Sequence, residues 1–115
     1  IYGDGKQVRD ILWIEDLLDA YDMVLGDPTK FVGQVFNIGG GADFTVSIWN
    51  EIEPILRDLA RKDLGVKYDA WRPGDQKVYI SEITAFAQYG WYPKIDTVTG
   101  TGLLWNWVND NINLI

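Results

Sequence analysis

One turn in the sequence carries a guanidinium and a carboxylate at a spacing that suits binding of a phosphorylated sugar. It lies within residues 71–81, where Arg72-Pro73-Gly74-Asp75 precedes a short apolar run. Pro73 fixes its own φ and disfavours a helical Arg72, and Gly74 permits a tight turn. The planar donors of Arg72 suit phosphate oxygens, and Asp75 is an acceptor for hydroxyls. The alternative is a surface turn closed by an incidental ion pair between the same two side chains.

Residues for acid–base, nucleophilic or metal catalysis are scarce. The sequence contains no Cys and no His, which excludes thiolate chemistry, a Ser-His-Asp triad and ordinary zinc sites. Tyr2 and Lys6 have the Tyr-x-x-x-Lys spacing of a catalytic pair. Two glycines lie between them, however, and disfavour the helix that would place both side chains on one face. We therefore predict no catalytic residue and no metal ligands in this chain.

Three glycine pairs begin the G-x-G-x-x-G pattern of dinucleotide sites. Each pattern fails at its last position, which is occupied by Val8, Phe44 and Trp105 respectively. We therefore predict no cofactor-binding residue in this chain. The run Gly39 to Gly41 is expected instead to be a turn that lets a backbone or a ligand come close.

Three segments in this order carry a family resemblance. They are G-D-G-K-Q-V-R-D at residues 3–10, F-N-I-G-G-G at residues 36–41 and R-P-G-D-Q-K-V-Y-I-S at residues 72–81. Together they resemble the C-terminal part of the NAD-dependent nucleotide-sugar epimerases and dehydratases, which are extended short-chain dehydrogenases/reductases. The sequences of these three motifs are most similar to those of the CDP-paratose (CDP-tyvelose) 2-epimerases. The resemblance covers nearly the whole chain.

The resemblance implies a substrate-binding role for four residues. Arg9 and Arg72 match the arginines that grip the diphosphate, and Asn37 matches an asparagine near the nucleotide. Asp75 matches an acidic residue that serves the ribose or stabilises its loop. Without the resemblance, Arg9 is equally well explained as a strand residue paired with Asp10 or Glu15.

The resemblance also implies what the complete protein does. Residues 1–115 are expected to form its nucleotide-sugar-binding domain, inactive alone, with a CDP-sugar as the favoured ligand. The missing N-terminal half would bind NAD, supply the catalytic base and form a homodimer through its helices. Whether the enzyme is an epimerase or a 4,6-dehydratase stays open. A stand-alone nucleotide- or carbohydrate-binding module is the alternative.

Composition and charge set further bounds. A chain of 115 residues with a hydrophobic fraction of 47% suits one folded domain. A net charge of −7 disfavours nucleic acid as a partner. No apolar run approaches the roughly 20 residues of a membrane span, so we expect no membrane contact and a cytoplasmic location. The abrupt start at Ile1 suggests a piece of a longer protein.

The periodicity predicts short strands alternating with about four helices, an α/β domain without a complete Rossmann sheet. We predict strands over residues 7–14, 34–38 and 66–70. Helices are expected from about residue 15 to 26, from 45 to about 62, over 82–89, and from a cap at Asp96 or Thr97 to about 112.

The same periodicity predicts which side chains are buried. In the first helix an apolar stripe should face inward and the aspartates should face solvent. Trp13, Trp49 and Trp107 lie at core-facing spacings, and core packing is favoured over a sugar-stacking role for the tryptophans. The predicted inward residues are Leu17, Leu18, Tyr21 and Leu25, then Trp49, Ile52, Leu56 and Leu59, then Leu104, Trp107, Val108 and Ile112.

Overall fold

A mixed sheet of three very short strands organises the structure, a computed structural model that describes residues 1–114. Strand β1 (Val8–Asp10) lies in the centre. Strand β2 (Thr45–Ser47) pairs with β1 antiparallel, and β3 (Val78–Tyr79) pairs with it parallel. Ile115, the last residue of the predicted domain 1–115, lies outside the described residues.

The described chain also has four α-helices, as predicted. They are α1 (Ile14–Gly26), α2 (Ile48–Ala60), α3 (Thr84–Ala87) and α4 (Thr97–Asp110). Short 3₁₀ turns cover Pro28–Lys30, Ala42–Phe44 and Ile112–Leu114. The predicted fold class is therefore confirmed, and with three strands of two or three residues the described chain has no complete Rossmann sheet.

Local signals set two of the helix starts. Asp96 caps α4 as predicted, because its Oδ1 accepts a hydrogen bond from the Thr99 N–H at 2.8 Å. Helix α2 begins three residues later than the predicted Thr45, because residues 45–47 pair with β1 instead. The Ser47 N–H then donates to the carboxylate of Glu51 in the first turn of the helix, which satisfies a backbone donor at the helix start.

An aromatic cluster forms the main core. Phe31, Phe86 and Trp91 are buried, and Phe36 and Tyr89 pack against them with ring centroids 4.7–6.3 Å apart. The indole N–H of Trp91 donates to a backbone carbonyl of α1, so burial leaves this polar group satisfied. Core packing of this tryptophan is as predicted.

The predicted orientation of α1 was wrong. Asp16 is only 3% exposed, whereas Leu18, Tyr21 and Leu25 are between 51% and 73% exposed. The Asp16 carboxylate can be buried because its Oδ2 accepts hydrogen bonds from the N–H groups of residues 94 and 95, each at 3.1 Å. Ala20 lies on the same buried face. Of the predicted stripe, Leu17 is half-buried.

Two predicted strands do not form. Residues 34–38 have no regular secondary structure and no strand partner in the described chain, and Phe36 packs against the aromatic core instead. Residues 66–70 contribute one isolated bridge, in which Asp69 exchanges backbone hydrogen bonds with residues 1 and 3. The first strand is also shorter than predicted: Ile11 still donates to the Phe44 carbonyl, but α1 begins at Ile14.

The later helices bury less than predicted. Leu104, Trp107 and Ile112 are each more than half exposed, which contradicts their predicted inward position, whereas Val108 is half-buried. The apolar face of α2 packs against α4 and is half-buried at all four predicted positions, which are Trp49, Ile52, Leu56 and Leu59. Among residues 1–114, no helix has the length and apolar character that crossing a bilayer requires.

Candidate functional site

The turn at residues 72–76 is closed by the arginine and aspartate that the sequence singled out. Gly74 has a φ of +84°, and the Asp75 N–H donates to the Arg72 carbonyl at 3.1 Å. The Arg72 guanidinium meets the Asp75 carboxylate through two atoms, Nε to Oδ2 and Nη2 to Oδ1, each at 3.2 Å. Its Cζ also lies 4.5 Å from the ring centroid of Tyr2. The Arg72 side chain is nevertheless 62% exposed, so much of it faces solvent.

Arg9 reaches the same turn from β1. Its Nη2 donates to the carbonyl of Gln76 at 2.6 Å, and its Nη1 donates to the Val8 carbonyl at 2.7 Å. The alternative pairing with Asp10 or Glu15 is absent: within residues 1–114, Arg9 forms no salt bridge. Two guanidinium groups therefore flank one turn, one from the central strand and one from the turn itself.

Asn37 lies apart from this arrangement. It is exposed, in the irregular segment before the glycine run, and in the part of the chain that the structure describes it forms no hydrogen bond with residues 72–76. The structure thus brings together Arg9, Arg72 and Asp75 and leaves Asn37 separate.

Sequence reasoning missed Asp10 as a structural centre. Its Oδ2 accepts a hydrogen bond from the Gly41 N–H at 3.0 Å, and the Ser81 hydroxyl lies beside the same oxygen, since a Cβ on Gly39 would come within 2.5 Å of both. Partial burial raises the pKa of Asp10, but hydrogen bonding from Ser81 and Gly41 outweighs it, so the pKa lies below its ordinary value of 3.8. All three residues belong to the motifs that carry the family resemblance, which was the available signal.

The glycine run packs against this carboxylate, which explains its residue type. A Cβ on Gly39 would collide with the Ser81 hydroxyl and the Asp10 carboxylate, and one on Gly40 would collide with the Ile11 carbonyl. Gly41 has a φ of +67°, in the region that favours glycine. The predicted close approach of a backbone at residues 39–41 is therefore confirmed.

Two clefts lie near the sheet. One of about 490 Å³ is bordered by Gly40, Ser81 and Tyr92, and a more apolar one of about 720 Å³ lies between the start of α1 and α4. None of the four predicted site residues lines either cleft. Over residues 1–114, no group of three or more acidic side chains is placed to hold a metal ion.

Comparison with known proteins finds relatives among the NAD-dependent epimerases and dehydratases over most of the chain. The model of the NAD dependent epimerase/dehydratase family matches residues 1–39. CDP-paratose 2-epimerase of Salmonella typhi is 32% identical over 110 residues, which are 95% of this chain and 32% of that protein. The chain spans about a third of the length of the curated relatives it matches.

Solved structures agree with this result. UDP-glucose 4-epimerase of Thermotoga maritima, solved with UDP-glucose, is 26% identical with a TM-score of 0.80, over 97% of this chain and 35% of that chain. dTDP-glucose 4,6-dehydratase of Bacillus anthracis, solved with NAD, is 28% identical with a TM-score of 0.81, over 98% of this chain and 35% of that chain. The fold is thus that of part of an extended short-chain dehydrogenase/reductase. The chain belongs to the NAD-dependent epimerase/dehydratase family.

Proposed function

We propose that residues 1–115 form the nucleotide-sugar-binding part of an NAD-dependent sugar epimerase or dehydratase. The observation that carries this proposal is the convergence of Arg9 and Arg72 on the turn at residues 72–76. Two guanidinium groups on one turn suit the two phosphates of a nucleoside diphosphate, which is the part of the ligand that all nucleotide sugars share.

Ligand binding at this site requires the two arginines to exchange their partners within the chain for the oxygens of a diphosphate. In the unbound chain the Arg72 fork is satisfied by Asp75, and Arg9 is satisfied by backbone carbonyls. A diphosphate carries more charge than either partner and offers several oxygens to each guanidinium. Asp75, released from Arg72, becomes an acceptor for a ribose hydroxyl. Asn37 is part of the proposal as a contact to the nucleotide from the segment before the glycine run.

The complete enzyme in this proposal has a second half that binds NAD and supplies the catalytic base. The relatives support this arrangement, since each is about three times as long as the part this chain matches. Exposed apolar side chains also support it: Leu18, Tyr21 and Leu25 are exposed on α1, and Val32 and Val35 are 78% and 94% exposed. The proposal includes a cytoplasmic homodimer that assembles through the other half.

The favoured ligand is a CDP-sugar, because the three motifs most resemble those of the CDP-paratose 2-epimerases. The competing function is a stand-alone nucleotide- or carbohydrate-binding module. The gene sequence upstream of Ile1 separates the two, since the enzyme requires a G-x-G-x-x-G strand–turn–helix and a helical Tyr-x-x-x-Lys.

The direct test is a titration of the 115-residue chain with CDP, followed by nuclear magnetic resonance of the arginine Nε–Hε groups. Binding near the millimolar range is expected, with the largest shifts at Arg9 and Arg72. Cytidine is the control, since it keeps the base and ribose but has no phosphate. Absence of binding at 10 mM CDP, or equal binding of cytidine, would contradict the diphosphate site. A dissociation constant of about 10 mM corresponds to a binding free energy of about 2.7 kcal/mol.

A further inference from the structure

The strand that follows the arginine turn is very short and pairs with its neighbour over only two residues. Strand β3 contains only Val78 and Tyr79, and its parallel pairing with β1 covers two register positions. Both of its residues are exposed, at 60% and 46%, so burial contributes little to fixing them. Besides the backbone bond from the Val8 N–H to the Lys77 carbonyl at 2.9 Å, side-chain contacts at the two ends of β3 therefore contribute to the position of the turn at residues 72–76.

Consecutive residues of β1 fasten those two ends. Before β3, Arg9 donates to the Gln76 carbonyl at 2.6 Å. After β3, the Ser81 hydroxyl lies beside the Asp10 carboxylate, since a Cβ on Gly39 would come within 2.5 Å of both. Side chains alternate along a strand, so these neighbours act on opposite faces of β1. One cationic side chain (Arg9) and one anionic side chain (Asp10) of β1 thus contact the chain on the two sides of β3.

The contact at Asp10 is the more strongly constrained of the two. The same carboxylate accepts the Gly41 N–H at 3.0 Å, and Gly39 lies so close that any side chain there would collide with Asp10 and Ser81. A carboxylate that accepts a backbone N–H and packs closely against Gly39 and Ser81 has little freedom to move. Arg9, by contrast, uses neutral backbone carbonyls on the turn side.

We propose that Asp10 is a positioning residue of the nucleotide-diphosphate site, acting by fixing Ser81 and hence the register of β3 against β1. This inference rests on the proposed function for the identity of the ligand. The positioning role itself concerns only contacts within the chain. Asp10 touches no ligand. It sets the distance between Arg9 and the turn that carries Arg72, so that both guanidinium groups reach one diphosphate.

The experiment compares four variants of the 115-residue chain. Asp10→Asn removes the charge and half of the acceptors, and Ser81→Ala removes a donor to the same carboxylate without altering β1. Asp4→Asn is the matched chemical control, since Asp4 also accepts a backbone N–H, at 3.0 Å, but only from its own loop. Trp91→Phe is the stability control, because it weakens the aromatic core and leaves the turn untouched.

CDP affinity is measured for each variant beside its melting temperature. Asp10→Asn is expected to weaken CDP binding by roughly three- to tenfold, and Ser81→Ala in the same direction by less. Their combination should weaken binding by less than the product of the two, because they break one contact. Equal loss of affinity in Trp91→Phe at a matched fall in melting temperature would overturn the proposal, as would an Asp10→Asn affinity equal to that of Asp4→Asn.

A second measurement keeps the inference separate from the proposed function. In the chain without ligand, Asp10→Asn and Ser81→Ala should both shift the Arg72 Nε–Hε and the Asp75 and Gln76 amide resonances. If wild type binds no CDP, the proposed function fails, and these shifts alone decide the positioning role. Shifts confined to residues 39–41, 81 and the immediate neighbours of each substitution would overturn it.

Discussion

The guanidinium of Arg9 donates to the backbone carbonyl of Gln76 across 67 residues of sequence, at 2.6 Å. This one contact joins the strand of the first sequence motif to the turn of the third. It also brings Arg9 to a turn that already carries Arg72. The pairing of these motifs in space is the basis for treating them as one site.

Replacing either arginine by lysine should weaken CDP binding while leaving the fold intact. Arg9→Lys and Arg72→Lys keep the charge but lose the bidentate fork, so each should lose roughly 1–2 kcal/mol of binding, about tenfold or somewhat more. The melting temperature should change little, because Arg72 is 62% exposed and a lysine at position 9 still offers a donor for the Gln76 carbonyl.

Titrations with CDP and thermal melts of the same samples check this prediction. The competing explanation is that Arg72 only braces its turn through Asp75 and that Arg9 only supports its strand. It requires the opposite pattern, in which stability falls while phosphate binding is absent or unchanged. That pattern would end the assignment of the diphosphate site.

The chain by itself should bind no NAD. None of its three glycine pairs completes a G-x-G-x-x-G, so it lacks the turn that lets a backbone approach a pyrophosphate. Calorimetry with NAD should show no heat of binding in a sample that still binds CDP. Micromolar affinity for NAD would mean that residues 1–115 are more than the substrate-binding part of the enzyme.

The exposed apolar face on α1 and residues 32–35 should drive self-association. Leu25 and Val35 are 73% and 94% exposed, and large exposed apolar side chains favour association in water. Light scattering should give an apparent mass that rises with concentration, and Leu25→Glu should reduce the rise. Val98→Glu is the control, since Val98 is 63% exposed on α4 instead. A strictly monomeric wild type at high concentration would indicate that the domain is complete alone.

Asp16 should be among the most costly positions for stability. Replacing it with alanine removes two charge-assisted hydrogen bonds to the N–H groups of Lys94 and Ile95, which then lack partners. We expect a loss of roughly 2–4 kcal/mol in the free energy of unfolding. Asp22→Ala in the same helix is the control, because Asp22 is exposed and should change stability by less than about 0.5 kcal/mol. Urea denaturation of both variants gives the comparison, and equal values would contradict the structural role of Asp16.

Acid should weaken the fold partly through Asp10. Its pKa is lower in the folded chain than its ordinary value of 3.8, because hydrogen bonds from Ser81 and Gly41 outweigh the effect of burial. The carboxylate therefore stabilises the fold above pH about 4, and this contribution is lost as the pH falls through the lower folded pKa. The free energy of unfolding of Asp10→Asn should depend less steeply on pH below 4 than that of wild type, with Ser81→Ala between them. An unchanged slope in Asp10→Asn would contradict this assignment.

Several features could be predicted from the sequence alone, because they depend only on residues that are close together in the chain. The cap at Asp96, the helix after residue 14, the turn at Gly74 and the absence of a dinucleotide fingerprint all depend on a few neighbouring residues. The motifs singled out Arg9, Asn37, Arg72 and Asp75 as one set. In the structure Arg9 meets the turn that Arg72 and Asp75 close, and Asn37 lies apart.

Tertiary structure alone decided which faces are buried. Asp16 is buried and Leu18 is exposed because residues 94 and 95 supply two backbone N–H donors and no partner surface covers the leucine. A periodic pattern reports only that a helix has two faces, and the partners present decide which one is buried. Strand formation at residues 34–38 likewise requires a neighbouring strand. The role of Asp10 was hidden for the same reason, since its donors lie 31 and 71 residues away in the chain and meet it only after folding.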